Sequence, residues 1–350
     1  MIKKNRLRFG MIGGGGRALD HSAALKRLGL QRKIICDARQ SVATKHAADM
    51  GYERAVEDYS EVLTSADVDV VVVVLPHSIA GSVVLEALRA GKHVLTEKPL
   101  CHSVELGKQI VAEMEKSGKV CMVSHNYRFD SSVLAVRDAL KEGRIGEVFL
   151  VQGTLIAMPG YLALRPEYRT RTETNPSSVV LGNGIHGFDL LRFWLGEAVS
   201  VSAYYKHVVS QKLGGTGEDT GVCIIDFKNG PVGQFTISDG DVSMAASKWG
   251  FEFYGTEGVL RWPDPVILPK HPGCFKAWPP SEPTPEPVSL LADDAPKIPA
   301  LDQIYLHLGE VIDGNAESRL SPSEALKSLE LTLATLESAD SRGARVLLSA

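Results

Sequence analysis

Leu7-Arg8-Phe9-Gly10-Met11-Ile12-Gly13-Gly14-Gly15-Gly16-Arg17-Ala18 is the stretch that decides the fold. Leu7 to Ile12 reads as a short buried strand, and it runs straight into four glycines. From Arg17 to Leu28 small and apolar residues recur at helical spacing, with Ala18, Leu19, Ser22, Ala23, Leu25 and Leu28 in step. Gly13-x-Gly15-x-x-Ala18 therefore meets the G-x-G-x-x-G/A pattern in the strand–turn–helix setting that gives it meaning. The first glycine permits the tight turn, and the second lets backbone approach a pyrophosphate. Ala18 is small enough for close helix–strand packing, and the helix start offers free N–H groups and its positive dipole end to phosphates. Gly13, Gly15, Gly16, Arg17 and Ala18 are thus candidate contacts to a dinucleotide. Four glycines in a row also fit a plain flexible loop, so the downstream residues must decide.

Lys33 to Cys36 reads as a second strand, and Asp37 ends it, 19 positions beyond Ala18. An acidic residue there accepts hydrogen bonds from the adenosine ribose. Its charge also repels a 2′-phosphate, so NAD is expected ahead of NADP. Arg39 would attract that phosphate and keeps NADP open. Ser41 is expected to cap a helix through Met50, and Asp58 another from Tyr59 to Thr64. Val68 to Leu75 is apolar on both faces, as a central parallel strand should be. Pro76 and His77 end it beside the expected cofactor, and a helix from Ile79 to Ala90 stops at Gly91. His93-Val94-Leu95-Thr96 is the next strand, closed by Glu97-Lys98-Pro99. Ligands of a doubly wound sheet bind outside the carboxyl ends of its strands, which places Glu97 and Lys98 where a ligand is reachable. An exposed Glu–Lys pair at a strand end is the plain alternative. A helix from Ser103 to about Lys116 and a strand from Val120 to Ser124 complete an α/β Rossmann domain over residues 1–124, a doubly wound parallel sheet with right-handed crossovers.

The chain has 350 residues, about twice a typical domain, so a second domain over 125–350 is expected. A formal charge of −4 gives no reason to expect nucleic acid as a partner. No window approaches the roughly 20 apolar residues of a membrane span, and the N-terminus lacks the apolar core of a signal peptide. The five cysteines are scattered without a CxxC pair, so neither a disulfide framework nor a metal site is indicated. A cytoplasmic setting fits this usage. In the second half Glu147 to Ile156, Ser200 to Val209, Thr220 to Phe227, Val232 to Asp239, Phe251 to Tyr254 and Val259 to Trp262 read as strands. Proline-dense Pro263 to Pro299 is expected to be extended with little regular structure. Leu301 to Ile312 and Pro322 to Ser338 read as closing helices, the second begun by Ser321 with Glu324 three residues on.

MIGGGGRALDH (11–21), AGKHVLTEKPL (90–100), HNYRF (125–129), GRIGEV (143–148), GNGIHGFDLLRFWLG (182–196) and FYGTEGVLRW (253–262) come in this order over nearly the whole chain. Together they resemble the Gfo/Idh/MocA oxidoreductases. The resemblance implies a Rossmann domain followed by an α+β domain with a large open, mostly antiparallel sheet. It implies a nicotinamide enzyme acting on a sugar, cyclitol or related polyol, and a homodimer or homotetramer formed through the second-domain sheet.

Hydride transfer at a carbinol carbon needs a group that takes or gives the hydroxyl proton. Lys98, at the switch-point side of the sheet, can relay that proton or hold the substrate oxygen. His186 is the second candidate, since imidazole titrates near neutrality; a histidine between Ile185 and Phe188 is otherwise an ordinary packing residue. Relatives resembling inositol dehydrogenase carry an aspartate four residues before this histidine, where Gly182 stands here. Asn183 is placed to substitute for it, and Asp189 reads as structural. Tyr127, Arg128, Tyr161 and Arg169 are candidate substrate contacts; Arg165 and Arg171 lie in the same loop, whose guanidinium groups suit an acidic or phosphorylated sugar. Two other readings stand beside the dehydrogenase. One is a redox-assisted lyase or glycosidase with tightly bound NAD, which the missing aspartate keeps open. The other is a non-catalytic nucleotide-binding sensor, against which the retention of Lys98 and His186 argues.

Overall fold

A computed structural model of the chain describes residues 7–157, 179–241, 247–272, 274, 283–291 and 298–348. The chain divides into two compact units, one of Met1–Asn126 with Lys297–Leu329 and the other of Tyr127–Pro296 with Glu330–Ala350. The N-terminal segment of the first unit runs to Asn126, and the return of 297–329 to that unit is a long-range event that local periodicity does not register. Among the described residues no helix is long and apolar enough to cross a membrane.

In the first unit β1 (Arg8–Ile12), α1 (Gly16–Arg27), β2 (Gln31–Cys36), α2 (Gln40–Met50), β3 (Arg54–Val56), α3 (Ser60–Thr64), β4 (Val70–Val73), α4 (His77–Arg89), β5 (His93–Thr96), α5 (Val104–Ser117) and β6 (Cys121–Val123) alternate as expected. The strands pair in the order β3-β2-β1-β4-β5-β6, every pairing parallel. All four valines of β4 are fully buried, because helices cover both faces of a parallel sheet. The start of α2 differs slightly from expectation. Asp37 accepts the Arg39 N–H at 3.0 Å, so the turn forms early and the helix begins at Gln40 rather than after a Ser41 cap.

The second unit holds a short 3₁₀ turn at Asn126–Phe129, of which Tyr127 onward belongs to it, then α6 (Ser131–Lys141) and β7 (Val148–Ile156). A π-helical turn over Val180–Gly184 leads into α7 (Ile185–Leu195). There follow β8 (Ala198–Lys206), α8 (Val209–Lys212), β9 (Thr220–Phe227), β10 (Val232–Ser238), β11 (Lys248–Gly255), β12 (Gly258–Trp262), β13 (Val266–Pro269) and β14 (Val288–Ser289). The chain closes with α9 (Ala300–Ile312) in the first unit, α10 (Pro322–Asp340) and β15 (Val346–Leu347). The sheet order is β14-β13-β12-β11-β7-β10-β9-β8-β15, antiparallel except for β7 beside β10. One face of the sheet buries Phe235, Phe251, Phe253 and Trp262, and Trp194 of α7 packs edge-on against Phe251 at 5.2 Å. Gly187 lets α7 lie close to Phe235, since a Cβ there would stand 2.2 Å from that ring.

Two sequence expectations shift here. The strand expected through Val209 ends at Lys206, because Asp219 accepts the N–H groups of Val208, Val209 and Ser210 at 2.6–2.9 Å and coils them into α8. The proline-dense segment contributes β13 and β14 to the sheet margin, a position where proline's missing donor is tolerated.

Candidate functional site

In the first unit the carboxyl ends of β1, β2, β4 and β5 open on one edge, and the strand order reverses between β1 and β4. Gly13 follows β1 with φ +106°, a conformation in which glycine carries no steric penalty. Its N–H donates to Cys36 O at 2.8 Å, and a Cβ on it would sit 2.0 Å from Val74 O. The crevice walls thus meet at this glycine. Gly15 and Gly16 differ: a Cβ built on either meets nothing within 4 Å. Gly15 is the N-cap of α1 and supplies no side chain to it. Ala18 is fully buried against the sheet, as the fingerprint requires.

Asp37 lies at the end of β2 and accepts the Gly14 N–H on Oδ2 at 2.9 Å. Its Oδ1 accepts from Arg39 through both the backbone N–H and Nε, at 3.0 and 3.2 Å. Burial works to raise the Asp37 pKa, but these hydrogen bonds and the Arg39 charge hold it below the ordinary carboxylate value. Pro76 precedes α4 and His77 opens it, one strand along from Gly13. The ladder continues past β5 as far as Glu97, whose N–H donates to Val73 O at 3.0 Å. Lys98 is the first residue beyond it, half-buried and followed by a cis peptide to Pro99.

Glu97 is held by the helix above it. Its Oε1 accepts from Arg17 Nε at 2.8 Å and from His21 Nε2 at 2.9 Å. The other ring nitrogen of His21, Nδ1, lies 2.8 Å from the Tyr305 hydroxyl. Burial would raise the Glu97 pKa; the hydrogen bond from His21 and the charges of Arg17 and Lys98 outweigh it and keep the carboxylate ionised far below its usual range. Sequence reading missed both His21 and Tyr305. His21 sits one helical turn after Arg17, a spacing that puts the two on one face, but Tyr305 arrives from 284 residues away and leaves no local signal.

In the second unit α7 is buried nearly all round. Of Val179 to Arg192, only Asn183 and His186 reach partial exposure. They lie where the π-helical turn passes into α7, and such turns recur at functional positions. The Tyr127 ring meets His186 edge-on at 5.0 Å and Trp249 at 6.0 Å. Arg128 is placed differently from the substrate contact expected. It is buried, and its guanidinium forks onto Asp189, with Nε to Oδ2 at 2.9 Å and Nη2 to Oδ1 at 2.7 Å. That pair braces α7 one turn after His186. Gly182 is buried in the π-helical turn. Tyr161 and Arg169, with Arg165 and Arg171, lie outside the described residues.

The open space over Gly15 and Gly16, the uncapped start of α1 and the Asp37 carboxylate at the next strand end fit the pyrophosphate and ribose of a dinucleotide. Comparison with known proteins gives the same result over more of the chain. Residues 7–125 match the oxidoreductase family model with an NAD-binding Rossmann fold, and residues 133–261 match the GFO/IDH/MocA C-terminal domain. The chain belongs to the Gfo/Idh/MocA oxidoreductase family.

Among family members, levoglucosan dehydrogenase of Pseudarthrobacter phenanthrenivorans is 25% identical over 283 residues, covering 73% of each protein. Inositol 2-dehydrogenase of Rhizobium meliloti is 29% identical over 256 residues, covering 73% of this chain and 74% of that one. The crystal structure of an oxidoreductase from Thermotoga maritima superposes with a TM-score of 0.82 at 26% identity, covering 98% of both chains. This Gfo/Idh/MocA protein is accordingly an NAD-dependent oxidoreductase, with the parallel Rossmann sheet and the mostly antiparallel second sheet of its family.

Proposed function

We propose that this protein transfers a hydride between NAD and a hydroxyl or carbonyl carbon of a sugar, cyclitol or related polyol, with Lys98 and His186 as its proton-handling and substrate-holding groups. The observation that carries the reading is the row of strand ends in the first unit, where Gly13–Ala18, Asp37, Pro76–His77 and Glu97–Lys98 share one edge. NAD supplies the hydride acceptor when bound there. Lys98, next to an ionised Glu97, is poised to hold the substrate oxygen and pass on its proton. His186 shows at the surface of an otherwise buried helix, with Asn183 one turn before it and Tyr127 against its ring. With glycine at 182, its orientation rests on neighbours other than the carboxylate four residues upstream. We assign Arg128 a positioning role through Asp189. Relatives acting on levoglucosan and inositols support the substrate class.

The outer face of the second sheet supports self-association. Val222, Ile224 and Val232 on β9 and β10 are exposed beside Tyr204 of β8, and Tyr204 pairs directly with Val222 across the strands. We propose a homodimer or homotetramer through this face, to be read as the mass in solution by sedimentation equilibrium.

The test is a dehydrogenase screen over levoglucosan, inositols, aldoses and uronic acids with NAD and NADP, following NADH absorbance. Lys98→Ala is expected to lower turnover by about 10²–10⁴-fold, the usual range for losing a proton-transfer group, with NADH binding retained. Persistent turnover in that variant refutes the assignment. Tightly retained cofactor with substrate consumed and no net absorbance change would move the protein to the redox-assisted lyase or glycosidase reading.

A further inference from the structure

We infer that His21 is a positioning residue for Lys98, bridging Tyr305 of α9 to Glu97 at the strand end. The inference rests on the proposed role of Lys98. His21 is fully buried, and both of its ring nitrogens are engaged. One tautomer satisfies every group in the line: the Tyr305 hydroxyl donates to Nδ1, and the Nε2 hydrogen is donated to Glu97 Oε1. Tyr305 is 1% exposed and is itself fixed edge-on against Phe9, with ring centroids 5.7 Å apart. Arg17 donates to the same Glu97 oxygen from the first turn of α1. The carboxylate is therefore held from two directions, by a histidine that is packed in turn and by Arg17, which also pairs with Asp20.

A buried polar line whose members are all satisfied is rigid, and its cost is not offset by packing alone. This one starts on a segment returning from the far end of the sequence and finishes one residue before Lys98. Fixing Glu97 fixes the charge that faces the lysine and the backbone that carries it. It also links the lysine to Arg17, the residue after the Gly13–Gly16 turn. Tyr305, His21 and Arg17 thus aim Lys98 without touching substrate.

The test compares the intact protein with His21→Ala, Tyr305→Phe and Lys98→Ala. Trace acetylation with acetic anhydride, mapped by peptide mass, reads Lys98 directly, with exposed Lys116 as internal reference. His21→Ala is expected to change the Lys98 rate by at least about three-fold, the equivalent of half a pKa unit. Turnover of the best substrate from the screen is expected to fall by about 100-fold, as for a misaligned reacting group. KM and NADH affinity stay close to those of the intact protein, and added imidazole restores turnover by filling the space left. Tyr305→Phe keeps the ring on Phe9 and gives a smaller change of the same kind. Unchanged labelling and turnover in both variants overturn the inference. If His21→Ala does not fold, Tyr305→Phe decides on the same readouts. Turnover surviving in Lys98→Ala would instead refute the role of the lysine, a result the labelling experiment does not share.

Discussion

Replacing Asp189 by Asn keeps the side-chain volume and removes only the charge that the Arg128 fork engages. Among the described ion pairs this one is deeply buried, with side-chain exposures of 6% for Arg128 and 2% for Asp189. A guanidinium left without its carboxylate in such a place costs about 3–5 kcal/mol, because its desolvation is no longer offset. At a urea slope of about 2–3 kcal/mol per M, that is a fall of about 1.5 M in the unfolding midpoint. The described tryptophans, at 194, 249 and 262, belong to the second unit, so their fluorescence follows that unit. The double variant Arg128→Met, Asp189→Leu tests the reason, since a buried pair replaced by apolar groups of similar size is close to neutral. It should recover most of the loss. A midpoint shift under about 0.4 M for Asp189→Asn, less than 1 kcal/mol, would refute the argument. So would a double variant that loses the sum of its two single changes.

Two further outcomes follow from other side chains. Burial pushes the Glu218 carboxyl up to about 7, so its contribution to stability is present below its unfolded value and is lost as pH rises through about 7. Glu218→Gln is therefore expected to gain at most about 3 kcal/mol over the parent at pH 8 and under about 1 kcal/mol at pH 5; an equal effect at both values would rule out titration as the cause. Asp37→Ser, with Arg39 kept, removes the charge that repels a 2′-phosphate. NADPH affinity measured by fluorescence should rise relative to NADH, and an intact protein that already prefers NADPH would remove the basis for this expectation.

The Rossmann half was legible because its signals are local. A strand, a glycine turn and a helix adjoin within Leu7 to Leu28, Asp37 ends the next strand, and a valine run marks a strand buried on both faces. The second sheet was legible as strands, but not in its pairing, since β7 lies parallel to β10 although their paired starts, Leu150 and Val232, are 82 positions apart. Arg128 was misread for a similar reason. A tyrosine–arginine pair at a domain junction suggests ligand contact, and only the fold shows the guanidinium turned inward onto Asp189. The His21 line needs Tyr305, and no periodicity ties residue 21 to residue 305. Asn183 and His186, both named from the sequence, are the partly exposed positions between Val179 and Arg192.

Because 297–329 completes the first unit, that unit has a consequence for biosynthesis. The ribosome releases the strands of the Rossmann sheet early, yet the hydroxyl that meets His21 and the Leu320 carbonyl that accepts the Val123 N–H at 2.9 Å emerge only after the intervening segment has been made. Until then Phe9 lacks its aromatic cover and the β6 edge lacks that acceptor. The nascent first unit therefore stays incomplete until most of the second has been synthesised. Expressing residues 1–126 alone would fix the protein in that incomplete state.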